Sequence, residues 1–128
     1  MNDVQLKQKK AELKEEMNAN GYGWINGKYI KPPEKYQLRD REIWCIEMIN
    51  SILCYNCRGY TKAEDVLRYE EHVAYTNYLK EDVEQLGRER VLELIQEQID
   101  SIESIAVGVG RDGEGLIYNS IIWKEARV

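Results

Sequence analysis

Apolar positions along the chain change their spacing several times, and each change marks a predicted element. In the first twenty residues Leu6, Leu13 and Met17 form one narrow stripe in a run otherwise rich in Lys and Glu. Those spacings are helical, and Asp3 is placed to cap the first turn, so a surface helix is predicted from Asp3 to about Asn20. So narrow a stripe suits docking within the chain or a homodimer equally well. Gly21 and Gly23 end it. The pattern then turns strand-like. Asn26-Gly27 is the favoured pair of a two-residue type I′ turn, flanked by Trp24-Ile25 and Tyr29-Ile30. Pro32-Pro33 stops strand pairing and starts a loop.

From Asp40 to about Tyr55 a central helix is predicted. At about 100° per residue its apolar side chains, from Trp44 and Cys45 to Ile52 and Leu53, cover roughly 200° of the circumference. Glu47, Asn50 and Ser51 fill the remainder, and so wide an arc implies burial on more than one side. The run Thr61-Lys62-Ala63-Glu64 reads as a capping box for the next helix. That helix first turns Val66, Leu67, Tyr69, Val73 and Ala74 inward, and later Tyr75, Leu79, Val83 and Leu86, which lie on a different face. A straight helix cannot aim both stripes at one core, so a bend or break is expected near Thr76-Asn77. After Gly87 the last helix, about Arg88 to Ser104, gathers Val91, Leu92, Leu94, Ile95, Ile99 and Ile102 within about 160°, with the acids opposite.

The tail holds Ile105–Val109 and Leu116–Trp123, two β-branched and aromatic runs that read as a hairpin. Between them lies Gly108-Val109-Gly110-Arg111-Asp112-Gly113, a formal G-x-G-x-x-G. A dinucleotide loop needs a helix after the glycines and an acid about 20 residues on. A strand is predicted in place of the helix, so the glycines are expected to form a hairpin loop. The resulting expectation is one α+β domain over residues 1–128, with residues 1–20 as a surface helix and 21–128 as the core. Four to five helices would pack on a small antiparallel sheet made from two β-hairpins.

Composition narrows the function. Apolar residues make up 43% and charged residues 32% of 128, which is the balance of a folded soluble domain. The charged N-terminus and three cysteines, an odd number, point to a reducing cytoplasm. Residues 1–41 carry nine Lys/Arg against six acids, whereas residues 42–105 carry six against fourteen. A net −8 over that second stretch would repel a phosphate backbone and attract a basic protein, so direct nucleic-acid binding is not expected. The partner surface expected from this pattern comprises Glu81, Asp82, Glu84, Glu89, Glu93, Glu97, Asp100 and Glu103, with Tyr75 and Tyr78.

Catalytic chemistry finds little support. Glu70-Glu71 and Glu81-Asp82 could be written as carboxylate dyads, but on helices this acidic they read as a wet face. Cys45, Cys54, Cys57 and His72 could in principle make a zinc site. On a continuous helix, however, Cys45 and Cys54 point about 180° apart, and the thiols read as small hydrophobes. His72 lacks a recognisable nucleophile, and no cofactor is expected. Nine Tyr and three Trp with no Phe favour half-wet packing or a binding patch. The other function class left open is a small-ligand or enzymatic domain, its Gly-rich 108–115 loop covering a pocket of Tyr118, Asn119 and Trp123.

The run Asp112-Gly113-Glu114-Gly115-Leu116-Ile117-Tyr118-Asn119-Ser120-Ile121-Ile122-Trp123, which follows Leu86–Ile102, resembles the C-terminal part of small uncharacterised accessory proteins of phages and integrative elements of Gram-positive bacteria. The resemblance spans about residues 78–123. It implies a role in the contest between mobile element and host, and small acidic proteins of that kind include anti-CRISPR inhibitors that bind Cas effectors. It assigns no functional residues. The combined expectation is a non-enzymatic inhibitor that blocks a basic nucleic-acid-binding groove with its acidic surface.

Overall fold

Pro32 and Pro33 do more than stop a strand: they start the longest helix. A proline ring fixes the backbone angle a helix needs, and the Pro33 carbonyl accepts the Tyr36 and Gln37 amides at 3.0 and 3.3 Å. The helix therefore begins six residues earlier than the apolar pattern suggests. The structure, a computed structural model, describes residues 1–55, 60–109 and 117–124. Along them run α1 (Asp3–Ala19), β1 (Gly23–Ile25), β2 (Lys28–Ile30), α2 (Glu34–Tyr55), α3 (Ala63–His72), α4 (Lys80–Leu86), α5 (Arg88–Asp100), β3 (Ile102–Val109) and β4 (Ile117–Trp123).

Local chemistry sets most of these boundaries. Asn2, not Asp3, caps α1: its side chain accepts from the Gln5 amide while the Gln5 side chain accepts from the Asn2 amide. Asn26 and Gly27 both have positive φ, 50° and 78°, as a type I′ turn requires, and set Trp24 opposite Tyr29. Thr61 makes no capping box. Lys62 is the N-cap without a side-chain bond, and Gln96 of α5 supplies the cap from a distance. It accepts the Ala63 amide at 3.0 Å and donates to the Thr61 carbonyl at 3.2 Å. The expected break falls over residues 73–79, between α3 and α4. Val73 and Tyr75 consequently point to solvent rather than inward.

The two hairpins do not join into one sheet. β1–β2 and β3–β4 are separate antiparallel pairs, β1 packing on α1 and β4 on α2. In the second pair the register passes from Ile102↔Trp123 to Ser104↔Ile122, which leaves Glu103 as the irregular residue. A strand, not a helix, follows the Gly-rich run, as its composition predicts. Residues 110–116 of that loop lie outside the described residues.

α2 is the hub, touching α1, α4, α5 and β4. Its buried arc includes Ile43, Cys45, Ile46, Ile49, Asn50, Ile52 and Leu53, while Trp44 is 55% exposed. Relative to the apolar arc in the sequence, the buried face is turned by about 70°. Asn50 explains the turn. Its Oδ1 accepts from Gln98 Nε2 at 2.6 Å, and its Nδ2 donates to the Met1 carbonyl at 3.1 Å. Gln98 Nε2 also donates to that carbonyl at 2.9 Å, and Gln98 Oε1 accepts from the Met1 amino group at 3.0 Å. One network thus ties α1, α2 and α5 inside the core.

Replacing Gln98 by the similarly sized Met strips the Asn50 carbonyl oxygen of its donor while the site stays closed to water. Chemical denaturation should show the variant destabilised by about 1–3 kcal/mol, with an unchanged denaturant slope.

Candidate interaction surface

The connector between α3 and α4 is short, exposed and braced from below. Leu79 is fully buried and anchors its end, and the Tyr78 amide donates to Glu70 Oε2 at 3.3 Å. Asn77 takes a left-handed backbone, φ 42°, which lets the chain reverse before α4. The brace leaves Val73, Tyr75 and Tyr78 outward, with Tyr75 entirely in solvent. Large apolar groups held out on a fastened loop offer area at low ordering cost.

The expected acids divide into two sets. Glu81 and Glu84 point outward from α4, but Asp82 is buried, with Arg41 Nη1 3.5 Å from its Oδ1. Arg41 also pairs with Glu81 at 3.2 Å, and its Nε donates to Gln85. On α5, Arg90 holds Glu93 at 2.9 Å and approaches Glu97 at 3.9 Å, while its Nε reaches Glu42 of α2 at 2.8 Å. Asp100 accepts from Gln96 Nε2 at 3.0 Å. Glu84, Glu89 and Glu103 are exposed and make no ion pair among the described residues. Half of the eight carboxylates therefore face a neighbouring arginine, and the surface is less negative than the sequence implies.

The carboxylate dyads are not a wet face either. Glu70 and Asp82 are 1% and 4% exposed, Glu70 beside a half-buried Glu71 that pairs with Arg88 and Asp82 beside an exposed Glu81. Burial pushes both carboxyls above their ordinary values, partly offset at Glu70 by the Tyr78 amide and at Asp82 by Arg41. α2 runs unbroken through Cys54, so Cys45 and Cys54 lie on opposite sides of one helix. Burial first, then Asp82 and Glu42, pushes the Cys45 thiol up to about 12, which makes it a poor metal ligand or nucleophile. His72 sits exposed in the last turn of α3, and Cys57 lies outside the described residues. Among the described residues no three His, Cys, Asp or Glu side chains gather as a metal site. Of the small-ligand set, the side chains of Tyr118 and Asn119 lie outside the description, and Trp123 is half-buried.

Beside the connector, two hollows meet at Arg41 and Trp44. One, of about 370 Å³, runs from Met48 to Asn77 and Tyr78. The other, of about 580 Å³, lies between the β1–β2 hairpin and α2, with Tyr29 and Trp44 on its walls. Sequence reasoning missed Trp44 here, placing it in the core at the edge of an arc already too wide for one neighbour. It also missed Arg41, whose acidic partners lie some forty positions away, and the long-range half of Arg90, which reaches Glu42 across forty-eight positions as well as the nearby Glu93. Compared with family models, curated proteins and solved structures, the chain matches none.

Raised carboxyl values carry a signed consequence. A buried acid that holds its proton more tightly when folded stabilises the fold in acid, and that contribution is lost as pH rises from the ordinary value of 4.5 through the raised one. Glu70→Gln keeps the acceptor for Tyr78 and removes the titration. Urea midpoints should therefore favour the variant increasingly from pH 4 to pH 7; a constant difference would show that Glu70 does not titrate in this window.

Proposed function

We propose that the chain is a non-enzymatic interaction protein that binds a basic protein and occupies its nucleic-acid channel, in the manner of an anti-CRISPR inhibitor of a Cas nuclease in the host cytoplasm. The observation carrying this reading is the braced connector, which presents Val73, Tyr75 and Tyr78 to solvent beside the carboxylates of α4. Exposed tyrosines supply the apolar anchor of an interface, and neighbouring acids supply orientation and attraction toward a cationic groove. Glu84, Glu89 and Glu103 would face the partner's cations directly. Glu81, Glu93 and Glu97, fixed by Arg41 and Arg90, would present oxygens whose positions are already set. No helix among the described residues is long and apolar enough to cross a membrane.

The reading is tested by interferometry against a panel of purified Cas nucleases, paired with inhibition of target cleavage. Binding should weaken steeply as salt rises. The Tyr75→Ala/Tyr78→Ala double variant should bind about tenfold or more weaker, and Glu84→Lys with Glu89→Lys should slow association. A nuclease bound with no salt dependence, or a panel with no binder, overturns the electrostatic mechanism.

A further inference from the structure

Among the described residues β3 and β4 form the longest strand pair, and no third strand joins them. A lone hairpin is marginal in water, and the outer side of each strand carries a row of backbone N–H and C=O groups that another strand can answer. The two edges differ. β4 lies against α2, and its Ile121 packs on the core, whereas β3 has β4 as its one substantial neighbour among the described elements. None of the described backbone hydrogen bonds outside the regular elements involves residues 102–109.

Proteins blunt an open edge with lysine, proline or a bulge. From Ser104 to Val109 β3 has neither charge nor proline. Its irregularity falls earlier, at Glu103, and past it the register runs unbroken from Ser104↔Ile122 to Val109↔Ile117. We propose that β3 pairs antiparallel with β3 of a second copy of the chain. The two hairpins then form one four-stranded sheet about a two-fold axis between Ala106 and Val107.

The edge and its charges select this occupant. A strand edge is its own complement when the copy runs antiparallel, and the two-fold closes the assembly at two chains. Pairing over residues 104–109 gives about six backbone hydrogen bonds. Glu103, the charged residue of β3, then lies roughly 20 Å from its counterpart, beyond the ~10 Å over which charges stay coupled in salt. Parallel pairing would instead set the two carboxylates on adjacent strands. The basic partner proposed for the connector finds no carboxylate between Ser104 and Val109 to meet its cations. Nor does α1 offer a competing dimer face, because Leu6 and Leu13 of its narrow stripe are 1% and 3% exposed, packed in the chain's own core. The inference is independent of the connector, so its failure leaves the protein-binding proposal intact.

Light scattering behind size exclusion, run over a dilution series, should give twice the 15.1 kDa of one chain at the concentrated end. Between the dilute and concentrated ends, amide hydrogen exchange should slow about tenfold or more in residues 104–109 and stay unchanged in β1–β2. Val107→Lys sets two added cations beside the axis and should give a monomer with the helical circular dichroism of the parent chain. Trp24→Ala and Trp44→Ala, at exposed positions outside the strand, should leave the dimer intact. If the Lys variant does not fold, exchange in the parent chain decides. A monomer throughout the series, β3 exchange indifferent to concentration, or protection gained in β4 alone overturns the proposal. So does a dimer that survives in folded Val107→Lys or is lost with either Trp substitution.

Discussion

Gln98 sits in the core with an amide that water cannot reach, and its hydrogen bonds must be met by protein. They are met by Asn50 and by both backbone groups of Met1, so α1, α2 and α5 can pack together in one rotation only. Apolar contacts alone would tolerate α2 turned by a few tens of degrees, since its hydrophobic arc is broad. A buried amide pair does not: a slip leaves polar atoms unsatisfied. The network fixes the phase of α2, and with it the sides on which Arg41 and Trp44 emerge.

That phase explains what could be read from the sequence and what could not. α5 was legible as far as Asp100 because its acids lie opposite its apolar stripe: Val91, Leu94 and Ile95 are buried as the spacing predicts, while Ile102–Ser104, read as its last turn, open β3 instead. The β1–β2 hairpin was legible because Asn-Gly specifies its turn locally. α2 was legible as a helix but not in orientation, since Asn50 reads as polar and Trp44 as core. The cap of α3 misled for a related reason. Thr61 and Glu64 satisfy a local pattern, yet Gln96, thirty-three positions beyond Ala63, provides the bond. Local signals survive where the interaction is local, and fail where a side chain is answered from another helix.

The candidate surface followed the same rule. Counting acids along α4 and α5 finds the excess of charge but not the arginines opposite it. Arg41 and Arg90 lie on helices separated in sequence from several of their partners, and they convert part of a repulsive stripe into fixed pairs. Exposed ion pairs contribute little stability each. Their larger effect here is to divide the surface into carboxylates that are already engaged and others that remain available.

Gly87 joins α4 to α5 with no other residue between them, its backbone at φ 87°. Because a helix advances about 100° with each residue, that corner has no slack. One added or lost amino acid would swing the buried side of α5, with Val91 and Leu94, away from the side of α4 that carries Val83. The length of the chain here is thus as constrained as its chemistry, and relatives that share this architecture should vary their loops elsewhere.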